Sequence, residues 1–236
     1  MSETVQLGLP LVQAAQAQKH VTVNEALLRL DALAQVTILS RTVTLPPLTA
    51  TDGQVWSVPQ GAVNAWEGRA GQLAIATGGG WVFATPRRGW QGFILDEHQS
   101  ALFDGQSWRT GVVAMSENRA GSFFRITEFD HEIAAGQSST PAVTIPAASM
   151  VFAVTARVVE PITGSLTTWQ LGNPGAPDRF GAGLGTAAGS WARGLLSAPM
   201  SFYEPTPLLL SASGGSFAGG RVRFALHLHE VGIPAA

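Results

Sequence analysis

Arg221-Val222-Arg223-Phe224-Ala225-Leu226-His227-Leu228-His229-Glu230 reads RVRFALHLHE, and its period is two. Val222, Phe224, Leu226 and Leu228 fall on one side, and Arg223, Ala225, His227 and His229 on the other. Only an extended strand separates those two sets, so this is a strand with one buried and one open face. Upstream, Met150 to Val159 is apolar on both faces and reads as a central strand. Phe123 to Phe129, Leu166 to Leu171, Arg179 to Leu184 and Leu208 to Ser213 are further strands, separated by Gly, Pro, Asn and Ser clusters. Regular strands between such turns predict a β-sandwich of jelly-roll type over residues 121–236.

Towards the N-terminus, Thr110 to Gly121 is polar and reads as irregular, which places a domain boundary there. The preceding domain, residues 1–112, has shorter strands. Val36 to Thr44 is extended up to Pro46-Pro47, and Gln54 to Val58 follows the Asp52-Gly53 turn. Leu73 to Ala76 and Trp81 to Ala84 flank Gly78-Gly79-Gly80, a hairpin signal because such turns need positive φ. Phe93 to Leu95 and Ala101 to Phe103 form a second pair before Asp104-Gly105. The expectation is a β-meander.

The stretch Leu9 to Gln35, LPLVQAAQAQKHVTVNEALLRLDALAQ, differs from all of this. It reads as a short helical piece, a break, then an amphipathic helix. Thr22-Val23-Asn24-Glu25 fits a capping box with Thr22 as N-cap. Glu25 and Arg29 have ion-pair spacing. Leu27, Leu30 and Leu33, with Ala34, form an apolar stripe that must be buried on the following sheet or on another subunit. The fold class is therefore mainly β: an N-terminal helical segment with a small meander, then a jelly-roll-like sandwich.

The pattern LP-x-x-x-AAQAQKHVT-x-NEAL-x-RLDAL resembles the opening of an uncharacterised domain family of alphaproteobacterial prophages and gene transfer agents, whose members look like fibre or spike proteins. The similarity continues through Trp56, Trp66 and Pro86-Arg87-Arg88-Gly89-Trp90 to Asp104-Gly105-Gln106-Ser107-Trp108. The resemblance implies a structural component of a phage-like particle, with capsid, spike or tail proteins as partners and release by lysis. It implies no catalytic residues. With it comes the expectation of a cyclic homo-oligomer, three-fold or five-fold, with the Leu27, Leu30 and Leu33 helix in the assembly base.

Composition narrows the alternatives. Hydrophobic residues make up 45% of the 236, enough for a real core. Charged residues are only 13%, and this low surface charge suits a chain that hides apolar surface in an oligomer. A net charge of −2 and the absence of a basic stripe argue against nucleic acid. No apolar run is long enough for membrane insertion. There are no cysteines, so disulfides and thiolate metal sites are excluded. The opening MSETVQLGLP has no signal-peptide pattern, so synthesis in the cytoplasm is expected.

His227 and His229 share a strand face and have the spacing of two metal ligands, but no third ligand accompanies them; no metal and no cofactor are expected. Asp130, His131 and Glu132 are clustered polar groups of the kind used in acid–base catalysis, or simply a turn at a strand end. No nucleophile elbow, zinc-protease or phosphate-loop motif is present, and Gly181-x-Gly183-x-Gly185 lacks the dinucleotide spacing. No enzyme activity is expected. The seven tryptophans have two uses, core packing and stacking on sugar rings. For the first-half tryptophans packing is the expectation. Trp191 lies in a Gly/Ala-rich stretch read as a loop, with Arg193 beside it and Asp178-Arg179 not far upstream. These four are the candidate glycan-binding residues, for host surface polysaccharide. The alternatives are a stand-alone carbohydrate-binding module and a capsule depolymerase; the latter needs two placed carboxylates, and no convincing pair stands out.

Overall fold

The computed structural model describes residues 3–13 and 19–235. The chain forms two compact units, Met1–Val112 and Val113–Ala236. The protein is mainly β with one N-terminal α-helix and several sheets, as the sequence patterns predict.

In the first unit, helix α1 (Lys19–Ala34) precedes seven strands: β1 (Val36–Ile38), β2 (Val55–Ser57), β3 (Leu73–Thr77), β4 (Gly80–Ala84), β5 (Gln91–Ile94), β6 (Gln99–Phe103) and β7 (Trp108–Thr110). They form one sheet in the order β4-β3-β2-β1-β5-β6-β7. This corrects the simple meander. β1 lies in the middle and pairs in parallel with both β2 and β5, which requires the long connection between Ile38 and Val55. The β3–β4 hairpin turns at Gly78 and Gly79, φ 56° and 75°, as expected.

Both faces of the sheet are covered. On one, Ala32 and Leu33 of α1 pack with Ile38, Val55, Leu73, Ile75, Ile94 and Trp108. On the other, Trp56, Trp66 and Trp81 meet with ring centroids 5.0–6.0 Å apart, and Trp66 is wholly buried. The first-half tryptophans Trp56, Trp66 and Trp108 are therefore core residues.

The helix needs three corrections. It starts at Lys19, so Thr22 lies inside it and is not its N-cap. Arg29 donates to the Phe83 carbonyl (3.1 Å), and among the described residues no Glu25–Arg29 ion pair forms. Leu30 is 54% exposed, whereas Asp31 and Ala32 are buried and Leu27 and Leu33 half-buried. The expected short helical piece is not helical over residues 9–13, and its remainder lies outside the described residues.

The buried Asp31 organises the N-terminal strap. Its carboxylate accepts from Thr4 Oγ1 (2.7 Å), Gln6 N (3.0 Å) and Leu7 N (2.6 Å). Thr4 and Leu9 close this loop, with Thr4 N donating to the Leu9 carbonyl and Leu9 N to Thr4 Oγ1. Two helical turns earlier, on the same face, Asn24 bonds both the N–H and the C=O of Val12. Gln6 also donates to the carbonyl of Gly53, whose φ of 85° favours glycine and where a Cβ would sit tightly, 3.2 Å from Val5 Cβ. Burial raises the Asp31 pKa, but the hydrogen bonds from Thr4, Gln6, Leu7 and Val5 outweigh it and hold the carboxyl below its ordinary value.

The second unit contains β8 (Val112–Met115), β9 (Gly121–Glu132), β10 (Ser138–Ser139), β11 (Thr144–Ile145), β12 (Ser149–Gly164), β13 (Thr168–Asn173), β14 (Ala176–Leu184), β15 (Trp191–Phe202), β16 (Thr206–Pro207), β17 (Leu209–Ser213) and β18 (Phe217–Val231). One sheet has the order β15-β12-β18-β9-β8 and another β10-β17-β13-β14, with β11 and β16 as a short extra pair. The chain passes from one large sheet to the other and back, which is jelly-roll connectivity. Val154, Phe224 and Leu226 of the first sheet pack with Trp169, Leu171 and Leu210 of the second in a single core. Within the stretch read as irregular, Val112–Met115 is an edge strand, and Ser116 to Ala120 turns back into β9.

Candidate functional site

The outward face of the five-stranded sheet follows from strand alternation and register. On β18, Val222, Phe224, Leu226 and Leu228 point into the core, so Arg223, Ala225, His227 and His229 point out. Cross-strand pairing aligns Trp191, Arg157, Arg223 and Asp130 in one row. Arg193, Thr155, Ala225 and Glu128 form the next, and Leu195, Ala153, His227 and Ile126 the one after.

The face therefore has a charged end and an apolar end. At the apolar end Phe124, Ile126 and Leu195 are 51%, 58% and 77% exposed. Phe124 packs against Phe152 and the His229 ring at centroid distances of 5.4 and 5.1 Å. The two histidines are held by hydroxyls: His229 Nε2 lies 2.6 Å from Ser122 Oγ and His227 Nε2 3.3 Å from Thr155 Oγ1. Among the described residues no group of three or more His, Asp or Glu is placed to hold a metal.

The charged end surrounds an open groove of about 600 Å³ lined by Trp191, Arg193, Arg157, Arg223, Glu128 and Thr155, among others. Arg223 is neutralised: Asp130 grips its guanidinium at 2.6 and 2.9 Å, and Glu128 lies 4.0 Å away. The Arg223 hydrogen bond lowers the Asp130 pKa, and the same contact raises that of Arg223. Arg193 lies over the Trp191 ring, 5.4 Å from its centroid. Arg157 stands directly opposite Arg223 and, among the described residues, makes only a long contact to the Gly189 carbonyl, 3.5 Å.

Two of the four candidate binding residues thus come together and two do not. Trp191 and Arg193 are on strand β15, not in a loop, and they share the groove. Their strand was hidden in the sequence because its inward positions are Ala192 and Gly194; a side chain at 194 would collide with the carbonyls of Val154 and Phe180. Arg179 is directed elsewhere, donating to Asn173 Oδ1 (2.6 Å) and Met200 Sδ (3.0 Å), and Asp178 is exposed and does not line the groove. Asp130, His131 and Glu132 are the end of β9, not a turn after it, so they alternate between faces. His131 turns to Ser139 Oγ (2.7 Å), and burial lowers its pKa against the opposing charge of Glu132. The sequence reading missed Arg157 and Thr155. Their only signal is that they alternate with Val154, Ala156 and Val158, which point inward.

A family model described as "Protein of unknown function (DUF2793)" matches residues 23–109, which lie within the first unit. Among solved structures, a chain described as "Cyanophage Pam1 capsid asymmetric unit" is 19% identical, with a TM-score of 0.36. That alignment covers 47% of this chain and 86% of the other, and a likeness at that score carries no argument about role. No curated protein matches. No helix among the described residues is long and apolar enough to cross a membrane.

Proposed function

We propose that this protein is a structural component of a phage-like particle, a spike or fibre that self-associates and attaches the particle to host surface polysaccharide. The particle role rests on the N-terminal resemblance. Self-association rests on one observation, the exposed apolar end of the five-stranded sheet, Phe124, Ile126 and Leu195 beside Phe152. Water-exposed apolar area of this kind is stabilised by being covered. A second copy of the chain, meeting this apolar end with its own, is a suitable cover that leaves the charged end of the face open. Attachment rests on Trp191, 58% exposed on an arginine-lined groove. The chain acts by binding and not by turnover; Asp130 and His131, on opposite faces of β9, do not converge on one point.

Light scattering on the full chain tests the first part. An oligomer is expected, and the Ile126→Glu, Leu195→Glu double variant should be a monomer that still unfolds in one cooperative transition. A wild-type monomer at micromolar concentration contradicts self-association. Electron microscopy of particles produced with and without the protein tests its place on the particle, and release of reducing ends from capsule would contradict the non-catalytic reading.

A further inference from the structure

We propose that the groove at the charged end of the five-stranded sheet is a site for acidic saccharides, in which Arg157 and Arg193 hold a uronate carboxylate while a sugar ring stacks on Trp191. This deepens the polysaccharide reading and rests on it. Three guanidiniums line one groove, Arg157, Arg193 and Arg223. Both nearby carboxylates, Asp130 and Glu128, are turned to Arg223. Among the described residues neither Arg157 nor Arg193 pairs with a carboxylate. Arg157 faces Arg223 across the ladder, and because Asp130 and Glu128 are already engaged by Arg223, Arg157 is left without a counter-charge of its own among the described residues. Guanidinium is the side chain best matched to a carboxylate, through paired N–H donors. One face of the indole carries Arg193. Trp191 is 58% exposed and offers indole surface of the kind the C–H face of a pyranose packs on, and a volume of about 600 Å³ accepts one or two sugar rings. A neutral sugar leaves both cations without a counter-charge, so the groove discriminates by charge.

Calorimetry on the full chain with tetragalacturonate and with its methyl ester tests this, because the two share a backbone and the ester replaces each carboxylate by a neutral group. The acid should bind at least about tenfold more tightly than the ester, and the preference should weaken with added salt. Arg157→Gln with Arg193→Gln should abolish that preference, Trp191→Ala should weaken both ligands, and Asp178→Ala should change neither. Equal binding of acid and ester, with loss in Trp191→Ala, overturns the acidic-sugar assignment while the saccharide reading stands. No binding of tetragalacturonate, tetramannuronate or sialyllactose at millimolar concentration overturns both.

Discussion

Replacing Asp31 removes the anchor of the N-terminal strap. The carboxylate accepts three hydrogen bonds at 2.6–3.0 Å while its own residue is 1% exposed. Bonds to a charged acceptor contribute about 1.5–3 kcal/mol each, but the strap can undock and satisfy its amides with water, so the loss is bounded by the docking free energy. About 3 kcal/mol is expected for Asp31→Ala, and a smaller loss for Asp31→Asn, which keeps a neutral acceptor. The pH dependence has a definite sign. A carboxyl whose folded pKa lies below its unfolded value stabilises fully above the ordinary 3.8 and loses that contribution as pH falls through the folded pKa. Wild type should therefore begin to lose the anchor's contribution as pH falls below the ordinary 3.8, whereas Asp31→Ala lacks it at every pH. Urea denaturation at pH 7 and pH 3, with hydrogen exchange over residues 3–13, reads both effects. An Asp31→Ala protein with wild-type stability and undiminished amide protection at Gln6 and Leu7 would refute the reasoning.

Leu30→Asp should leave the melting temperature within a degree or two of wild type because the site is half open, whereas Ala32→Asp, at a wholly buried site, should unfold the first unit; equal melts would contradict this burial pattern. Trp66→Ala should cost about 3–5 kcal/mol by opening the tryptophan cluster, while Trp66→Phe should cost clearly less, since the buried indole N–H has no partner among the described residues; calorimetric melts compare the two. The His131 pKa is lowered in the fold, so the second unit should lose stability as pH falls below about 6.5, where the unfolded chain takes up the proton first. His131→Asn should flatten that slope, and an unchanged slope would assign the acid response to another group.

Period-two alternation was sufficient for the sandwich. It identified β18 because its inward side chains are large and apolar and its outward ones mostly polar, whereas the interior strand β12 was legible as a run apolar on both faces. It failed on β15, where close packing demands Ala192 and Gly194 and so erases the signal. In helix α1 the leucines spread around the cylinder, so spacing alone predicts a stripe through Leu30, whereas the sheet and the strap bury Asp31 and Ala32. A buried carboxylate reads as solvated until its partners are known, and those of Asp31 are a threonine hydroxyl and backbone amides 24 to 27 residues away. Asp52-Gly53-Gln54-Val55-Trp56 and Asp104-Gly105-Gln106-Ser107-Trp108 share one pattern, and both tryptophans are buried. Yet Asp104 accepts from its own turn, from Gln106 N and Ser107 N, whereas Asp52 accepts from Gly78 N on a different hairpin. The groove is the extreme case. Trp191, Arg157 and Arg223 become neighbours only through the register of three strands, while Asp178-Arg179, nearer to Trp191 in sequence, line no part of it. Local spacing sets which way a side chain points, but which strands lie side by side is decided by the burial of all their inward faces at once.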